Sequence, residues 1–401
     1  MNLSRATYNI KSENLNLYMW IVLGGLMAFT SLSVDIYLPA MPAMHQELQG
    51  DIELTITGFL IGFSIAQLIW GPISDTYGRR LPLVLGLVLY IIGSIGCALS
   101  NSVFAIVFWR VIQAFGACVG PMLSRAMIRD MFSKTKAAEK LSTLIIIMAI
   151  APIAGPVLGG QIIKISTWHS IFWLLAGIGA IMLIALIWLP ETLEIERRQK
   201  ASIKRAFMVY GQLLKERKFM SYCLCVTFFY VAAYAFIAGS PKVYINYFGV
   251  QPQWYGWLFA VNVIGLVGIS FANRKLVKKY SLHQLLKVST LIATLAGIIL
   301  VGMVSFNIGG FFGVLIPVFF FFSMNGIIAA CATAVALDDV PNTAGAAAAL
   351  LGALQYGSGI LSTLLLAFFS DDTPQTMCWI IGIFTAASAI VILVLPTRYK
   401  K

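Results

Sequence analysis

Long apolar runs separated by short polar stretches dominate the chain; LVLGLVLYIIGSIGCAL (83–99) and FWLLAGIGAIMLIALIWL (172–189) are examples. Neither alternates with period two, as the strands of a transmembrane barrel would, and each is close to the roughly 20 residues that a helix needs to cross the hydrocarbon core. The apolar windows predict twelve spans, near 17–38, 54–74, 82–100, 103–124, 139–162, 170–190, 219–241, 254–273, 284–305, 309–336, 343–369 and 376–396. The expected fold is an all-α membrane protein.

Composition agrees. The 401 residues are 59% apolar and 11% charged, with a mean hydropathy of +0.87, whereas soluble domains are about 45–50% apolar and about 25% charged. Twelve spans take up roughly 240 residues, about three-fifths of the chain. A soluble enzyme and a single-span receptor are excluded. The net charge of +12 would suit nucleic acid, but its placement argues otherwise. With both termini cytoplasmic, 25 of the 28 Lys and Arg residues fall on that side, leaving Arg110 inside a span and Lys164 and Lys242 at span ends. This is the positive-inside bias, so the charge reflects topology and contact with anionic lipid, and no nucleic-acid partner is expected. The six cysteines lie in or beside spans without redox or metal spacing, and His45, His169 and His283 are far apart, so no metal site is expected. The first apolar run is too long for a signal-peptide core and is expected to remain as a span.

The longest polar interval, 191–218, divides the spans six and six. The expected domains are therefore an N-terminal bundle (1–190), a cytoplasmic linker (191–218) and a C-terminal bundle (219–401). Within the linker Ile203, Phe207, Leu213 and Leu214 stand among Lys and Arg, which fits either an amphipathic surface helix or a plain connection. Two six-span halves joined by a basic loop follow the plan of transporters built from parallel repeats, whose substrate site lies between the halves near the midplane.

The loop after the second span reads Gly71-Pro-Ile-Ser-Asp75-Thr-Tyr-Gly78-Arg79-Arg80. Gly71 would permit close helix contact, Gly78 a tight turn, and the arginines would hold lipid or acidic partners. The segment resembles the signature loop of the major facilitator superfamily, G-x-x-x-D-R-x-G-R-R, and departs from it at Thr76. The resemblance implies two pseudo-symmetric six-helix halves and a gating role for Gly71, Asp75, Gly78, Arg79 and Arg80. It also implies that Asp75 faces the start of the eleventh span near Pro341-Asn342-Thr343 in one conformation. Arg79 and Asp130 would complete a charge relay with Asp75.

Arg110 in the fourth span lies roughly 10 Å deep at 1.5 Å per residue, where a charge costs about 2.5 kcal/mol or more, so it should face the interior and have a partner. The sequence Arg110-x-x-Gln113-x-x-Gly116 is similar to the superfamily's fourth-helix motif, in which the arginine is associated with proton coupling. The fifth span carries Pro152, Gly155, Pro156, Gly159 and Gly160, with small residues at 151, 155 and 159 on one face. Its G-P-x-x-G-G ending resembles the antiporter motif, which implies exchange of substrate for protons. The eleventh span has a looser counterpart in Gly345, Gly352, Gly357 and Gly359.

Asp35, closing the first span, is the acid placed inside the membrane, either as a wet rim carboxylate or as a buried group that binds a proton or the substrate. The run Asp35-x-Tyr37-Leu38-Pro39-Ala40-x-Pro42, with Pro190-Glu191-Thr192-Leu193 after the sixth span, resembles the Bcr/CflA group of drug:proton antiporters. The resemblance implies Asp35 and Arg110 in proton coupling, the proton as coupling ion and no cofactor. It further implies a monomer in the bacterial inner membrane that confers antibiotic resistance by exporting small molecules. The mid-depth residues Tyr37, Gln113, Tyr230, Tyr234, Asn262, Asn325, Gln355 and Tyr356 are the expected cavity lining, an aromatic surface with few polar groups. A transporter of one metabolite on the same fold and a polytopic membrane enzyme are the alternatives.

Overall fold

The structure, a computed structural model, describes residues 17–198, 203–340, 343–369 and 373–394. The basic residues Arg5, Lys11, Lys200, Arg398, Lys400 and Lys401, and Pro341 and Asn342 of the expected Asp75 partner, lie outside the described residues. All regular elements among the described residues are helical.

Helix α1 (Leu17–Asp35) carries the first apolar run, and Pro39 and Pro42 then carry the chain through a 3-10 turn (Leu38–Ala40) into α2 (Met41–Leu48). Helix α3 (Glu53–Tyr77) ends at Gly78, whose φ of +92° lies in the region that favours glycine. Helix α4 (Arg80–Ala98) follows directly, and α5 (Val103–Met131) starts where the Ser102 hydroxyl accepts from the Ala105 N–H at 3.2 Å. The fifth span is divided into α6 (Lys134–Met148) and α7 (Ala151–Ile165), with Pro152 in the first turn of α7. Each piece is 15 residues, and among the described residues eleven helical stretches rather than twelve are long and apolar enough to cross a membrane. Helix α8 (His169–Ala185) completes the first set, and α9 (Ile203–Leu213) lies in the linker.

In the second set, α10 (Arg217–Pro241) continues as a π-helix (Lys242–Tyr247), beyond the expected end of that span. Helix α11 (Pro252–Leu276) is followed by α12 (Leu282–Ser305), which opens with a capping box between Ser281 and Gln284. The tenth span is interrupted at Met324 between α13 (Gly310–Ser323) and α14 (Asn325–Asp338); α15 (Ala344–Phe369) and α16 (Gln375–Val394) complete the chain.

Helix α5 packs against α1, α3 and α4, while α10 packs against α14, α15 and α16. Two helix pairs make the main contacts between the sets. Along α3 and α15 the Thr57 and Thr363 hydroxyls hydrogen-bond at 2.6 Å, and the Phe63 and Tyr356 rings stand 4.2 Å apart. The α15 glycines make this approach possible: a Cβ on Gly352 would meet Gln67, one on Gly357 would meet Ser64 and one on Gly359 would meet Leu60 and Tyr234, whereas Gly345 faces open space. The second pair is α7 with α11, where a Cβ on Gly160 would come within 2.7 Å of the Pro252 carbonyl oxygen.

Candidate functional site

Arg110 is completely buried within the first set. Its Nη1 donates to the Ser33 carbonyl at 2.9 Å and to Gln113 Oε1 at 2.6 Å, and Nε reaches the Thr55 carbonyl at 3.5 Å. The guanidinium carbon sits 4.5 Å from each of the Tyr37 and Phe59 ring centroids. Such contacts contribute about 2 kcal/mol or more when desolvated and offset part of the cost of the buried charge. Nη2 has no hydrogen-bond partner. Gln113 passes the network on, its Nε2 donating to Ser94 Oγ at 2.8 Å. This placement corrects the expected cavity lining. Tyr37, whose hydroxyl pairs with Thr55 at 3.0 Å, and Gln113 belong to the arginine cage, because the buried guanidinium claims the nearest acceptor and the nearest ring. The supporting residues Thr55, Phe59 and Ser94 are polar or aromatic groups in apolar runs, with no spacing that marks them in the sequence.

Asp35 is only 6% exposed and forms no hydrogen bond or ion pair among the described residues. Two elements enclose it. Helix α7 approaches from one side, where a Cβ on Gly155 would lie 3.3 Å from the Asp35 Cβ and one on Gly159 would overlap the Ile36 carbonyl oxygen. From the second set, Tyr234, Tyr255 and Tyr356 lie within electrostatic range of the carboxylate. Gly160 and Gly256 meanwhile close the α7–α11 contact, the latter against Pro156 and Val157. Gly155, Pro156, Gly159 and Gly160 of the G-P-x-x-G-G segment therefore hold the acid-bearing end of α1 against both α7 and the opposite set. A methyl group at Gly159 cannot be accommodated without moving α1, so Gly159→Ala is expected to lower transport at least about tenfold; normal transport at normal membrane abundance would contradict this packing.

Beyond Asp35 several aromatic and polar residues of the second set lie together. Tyr230, Tyr234 and Tyr356 follow one another with centroids 6.2 and 6.4 Å apart, ending on Phe63 of the first set. Tyr230 lies beside Asn325 and Gln355. The amide oxygens of Asn325 and Asn262 are buried without partners, so both can accept from a solute or water. Asn262 otherwise donates to the Leu258 carbonyl of its own helix at 3.0 Å. The arrangement is an aromatic wall with a few acceptors, backed by one carboxylate.

At the α3–α4 turn, Arg79 is 7% exposed and lies between two acids: Nη1 donates to Asp75 Oδ1 at 2.6 Å and Nε to Asp130 Oδ2 at 2.8 Å. Ser74 accepts from the same guanidinium at 2.9 Å. Glu191, which the sequence reading left without a role, completes the turn. Its carboxylate accepts from the Arg79 and Arg80 N–H groups at 2.9 and 3.1 Å and from those of Thr192 and Leu193. An anion at the start of α4 is stabilised by the exposed amides there, and a Cβ on Gly78 would lie 2.5 Å from this carboxylate. Glu191 was findable, since it is an acid placed directly after a span and Arg79-Arg80 needs acidic partners. Gly71 is a correction. A Cβ there would meet nothing within 4 Å, so its contribution is a carbonyl that accepts from Ser74 at 2.9 Å rather than helix contact. Asp75 is half exposed and faces Arg79. Asp75→Asn is expected to reduce transport several-fold with substrate binding retained, because it weakens a half-exposed ion pair outside the binding region; loss of binding in an equilibrium assay would contradict that separation.

The family model described as the Major Facilitator Superfamily matches residues 22–363. The chain is 29% identical to the bicyclomycin resistance protein homolog of Haemophilus influenzae, covering 95% of this chain and 96% of the relative. It is 26% identical to multidrug resistance protein D of Escherichia coli, covering 96% and 95%. The partially occluded inward-open xylose transporter XylE of E. coli has the same fold, with a TM-score of 0.74 at 15% identity over 96% of this chain and 98% of that one. With two helix sets packed through α3–α15 and α7–α11 and the signature turn at Asp75–Arg80, the chain belongs to the major facilitator superfamily.

Proposed function

We propose that this transporter exports drugs or similar small amphipathic molecules in exchange for protons, by alternating access between its two halves. One observation carries the reading: the buried, partnerless Asp35 lies where the glycine-lined α7 meets the tyrosines of the second half. A carboxylate so placed is stabilised either by a proton or by a donor group on the substrate, and the two compete. Protonation from the periplasmic side displaces the substrate, and loss of the proton to the cytoplasm restores binding. The aromatic wall from Tyr230 to Tyr356 supplies area without a fixed hydrogen-bond pattern, which suits varied amphipathic molecules. The names of the relatives, a bicyclomycin resistance homolog and a multidrug resistance protein, support the same substrate class.

The carrier works as a monomer in the bacterial inner membrane with both termini cytoplasmic, and needs the proton but no metal or organic cofactor. Membership in a transporter superfamily removes the membrane-enzyme alternative. The unpartnered amide oxygens of Asn262 and Asn325 favour a second reading, a carrier for one hydroxylated metabolite. Adding substrate to purified protein in weakly buffered detergent solution tests the exchange. Proton release in proportion to binding is expected for a drug:proton antiporter; binding without release would overturn the competition.

A further inference from the structure

The linker helix α9 has four distinct faces. At about 100° per residue, Ala206, Tyr210 and Leu213 share one side, Phe207 and Leu214 lie next to it, and Lys204 and Lys215 follow, with Arg205 and Gln212 opposite. The first face is bound to the protein: Tyr210 and Leu213 are buried, the Tyr210 hydroxyl donates to the Leu68 carbonyl of α3 at 3.1 Å, and α9 also touches α15. It thus spans the seam between one helix of each half. The second face is uncovered, with Phe207 48% and Leu214 49% exposed. Lys204, Arg205, Lys215 and Arg217 are all exposed around it. Met208 falls among the basic positions instead and is also exposed.

We infer that α9 is a site for the cytoplasmic leaflet's anionic phospholipids: Phe207 and Leu214 enter the acyl boundary while Lys204 and Lys215 engage phosphate-bearing headgroups. Charge complementarity selects this occupant. The order of faces, protein, apolar, basic, solvent, is the order in which an in-plane helix meets bundle, acyl chains, headgroups and water. Because the same helix grips α3 through Tyr210 and touches α15, lipid bound to it restrains the relative movement of the two halves at their cytoplasmic side. This inference stands apart from the drug:proton reading and concerns any substrate the carrier moves.

The six native cysteines are buried, so a fluorophore on Phe207→Cys, or separately on Leu214→Cys, reports the helix in the full-length protein. Each is reconstituted in phosphatidylcholine vesicles with and without phosphatidylglycerol, and quenching by lipid-borne nitroxides is read. Phosphatidylglycerol is expected to raise quenching at least about twofold at both sites. The rise should vanish at about 1 M salt, where the screening length is about 3 Å, and in the double variant Lys204→Gln/Lys215→Gln. Equal quenching in neutral and anionic vesicles, or an unchanged response in the double variant, overturns the inference.

Discussion

Asp35→Asn is expected to abolish export driven by a pH gradient while leaving the protein folded and weakening substrate binding, because the amide mimics the protonated acid. The substitution keeps the volume that Gly155 accommodates 3.3 Å away, and no hydrogen bond or ion pair is lost, since the carboxylate makes none. Its effect on stability should stay within about 1 kcal/mol. What disappears is the group that can gain and lose a proton. Transport against a gradient should therefore fall at least about a hundredfold, and whatever substrate binding remains should no longer release a proton. Asp35→Glu lengthens the side chain against α7 and should recover only part of the activity. Undiminished gradient-driven export by Asp35→Asn would move the coupling acid elsewhere.

Arg110 should respond to substitution in a different way, because its surroundings depend on it. Arg110→Ala leaves the Ser33 carbonyl and Gln113 Oε1 without their donor and a void between the Tyr37 and Phe59 rings. Unsatisfied buried acceptors cost about 1–3 kcal/mol each, and truncating a large side chain adds a cavity cost. The protein is expected to lose thermal stability markedly and transport entirely. Arg110→Lys should not rescue it, since an ammonium cannot lie flat between two rings while reaching both acceptors. Arg110→Met separates the two roles: it fills the site without a buried charge and should recover much of the stability, yet remain inactive if the charge is needed for coupling. Thermal unfolding of the purified variants, read beside their transport, decides this. Full transport by Arg110→Met would reduce the residue to a packing element.

The twelve spans were legible because lipid demands long apolar runs, and the sites where helices break were legible only in part. Pro152 and Pro156 mark the fifth span, but its division into two 15-residue helices depends on how α7 packs on α1 and α11. The interruption at Met324 has no proline or glycine at the break itself, although Gly326 follows closely. For the site, residue chemistry pointed to the right depth but not to the right neighbours. Arg110 needed a partner, and the sequence did not say which; the structure supplies carbonyl and amide oxygens and two rings, one from α3 and one from the turn after α1. Tyr37 and Gln113 are polar at mid-depth like Tyr230 and Tyr356, and only the packing of α5 shows that they face Arg110 instead of the other half. Glu191 carried a local signal, its position after a span, yet its role depends on a turn more than 100 residues earlier in the chain, which no local pattern records.

The most direct measurement uses everted membrane vesicles from cells making this protein, with labelled bicyclomycin and a panel of amphipathic antibiotics added outside. An acid lumen should drive accumulation of at least one of them, a protonophore should abolish it, and Asp35→Asn vesicles should show none. Accumulation that persists unchanged without a pH gradient would contradict proton-coupled export.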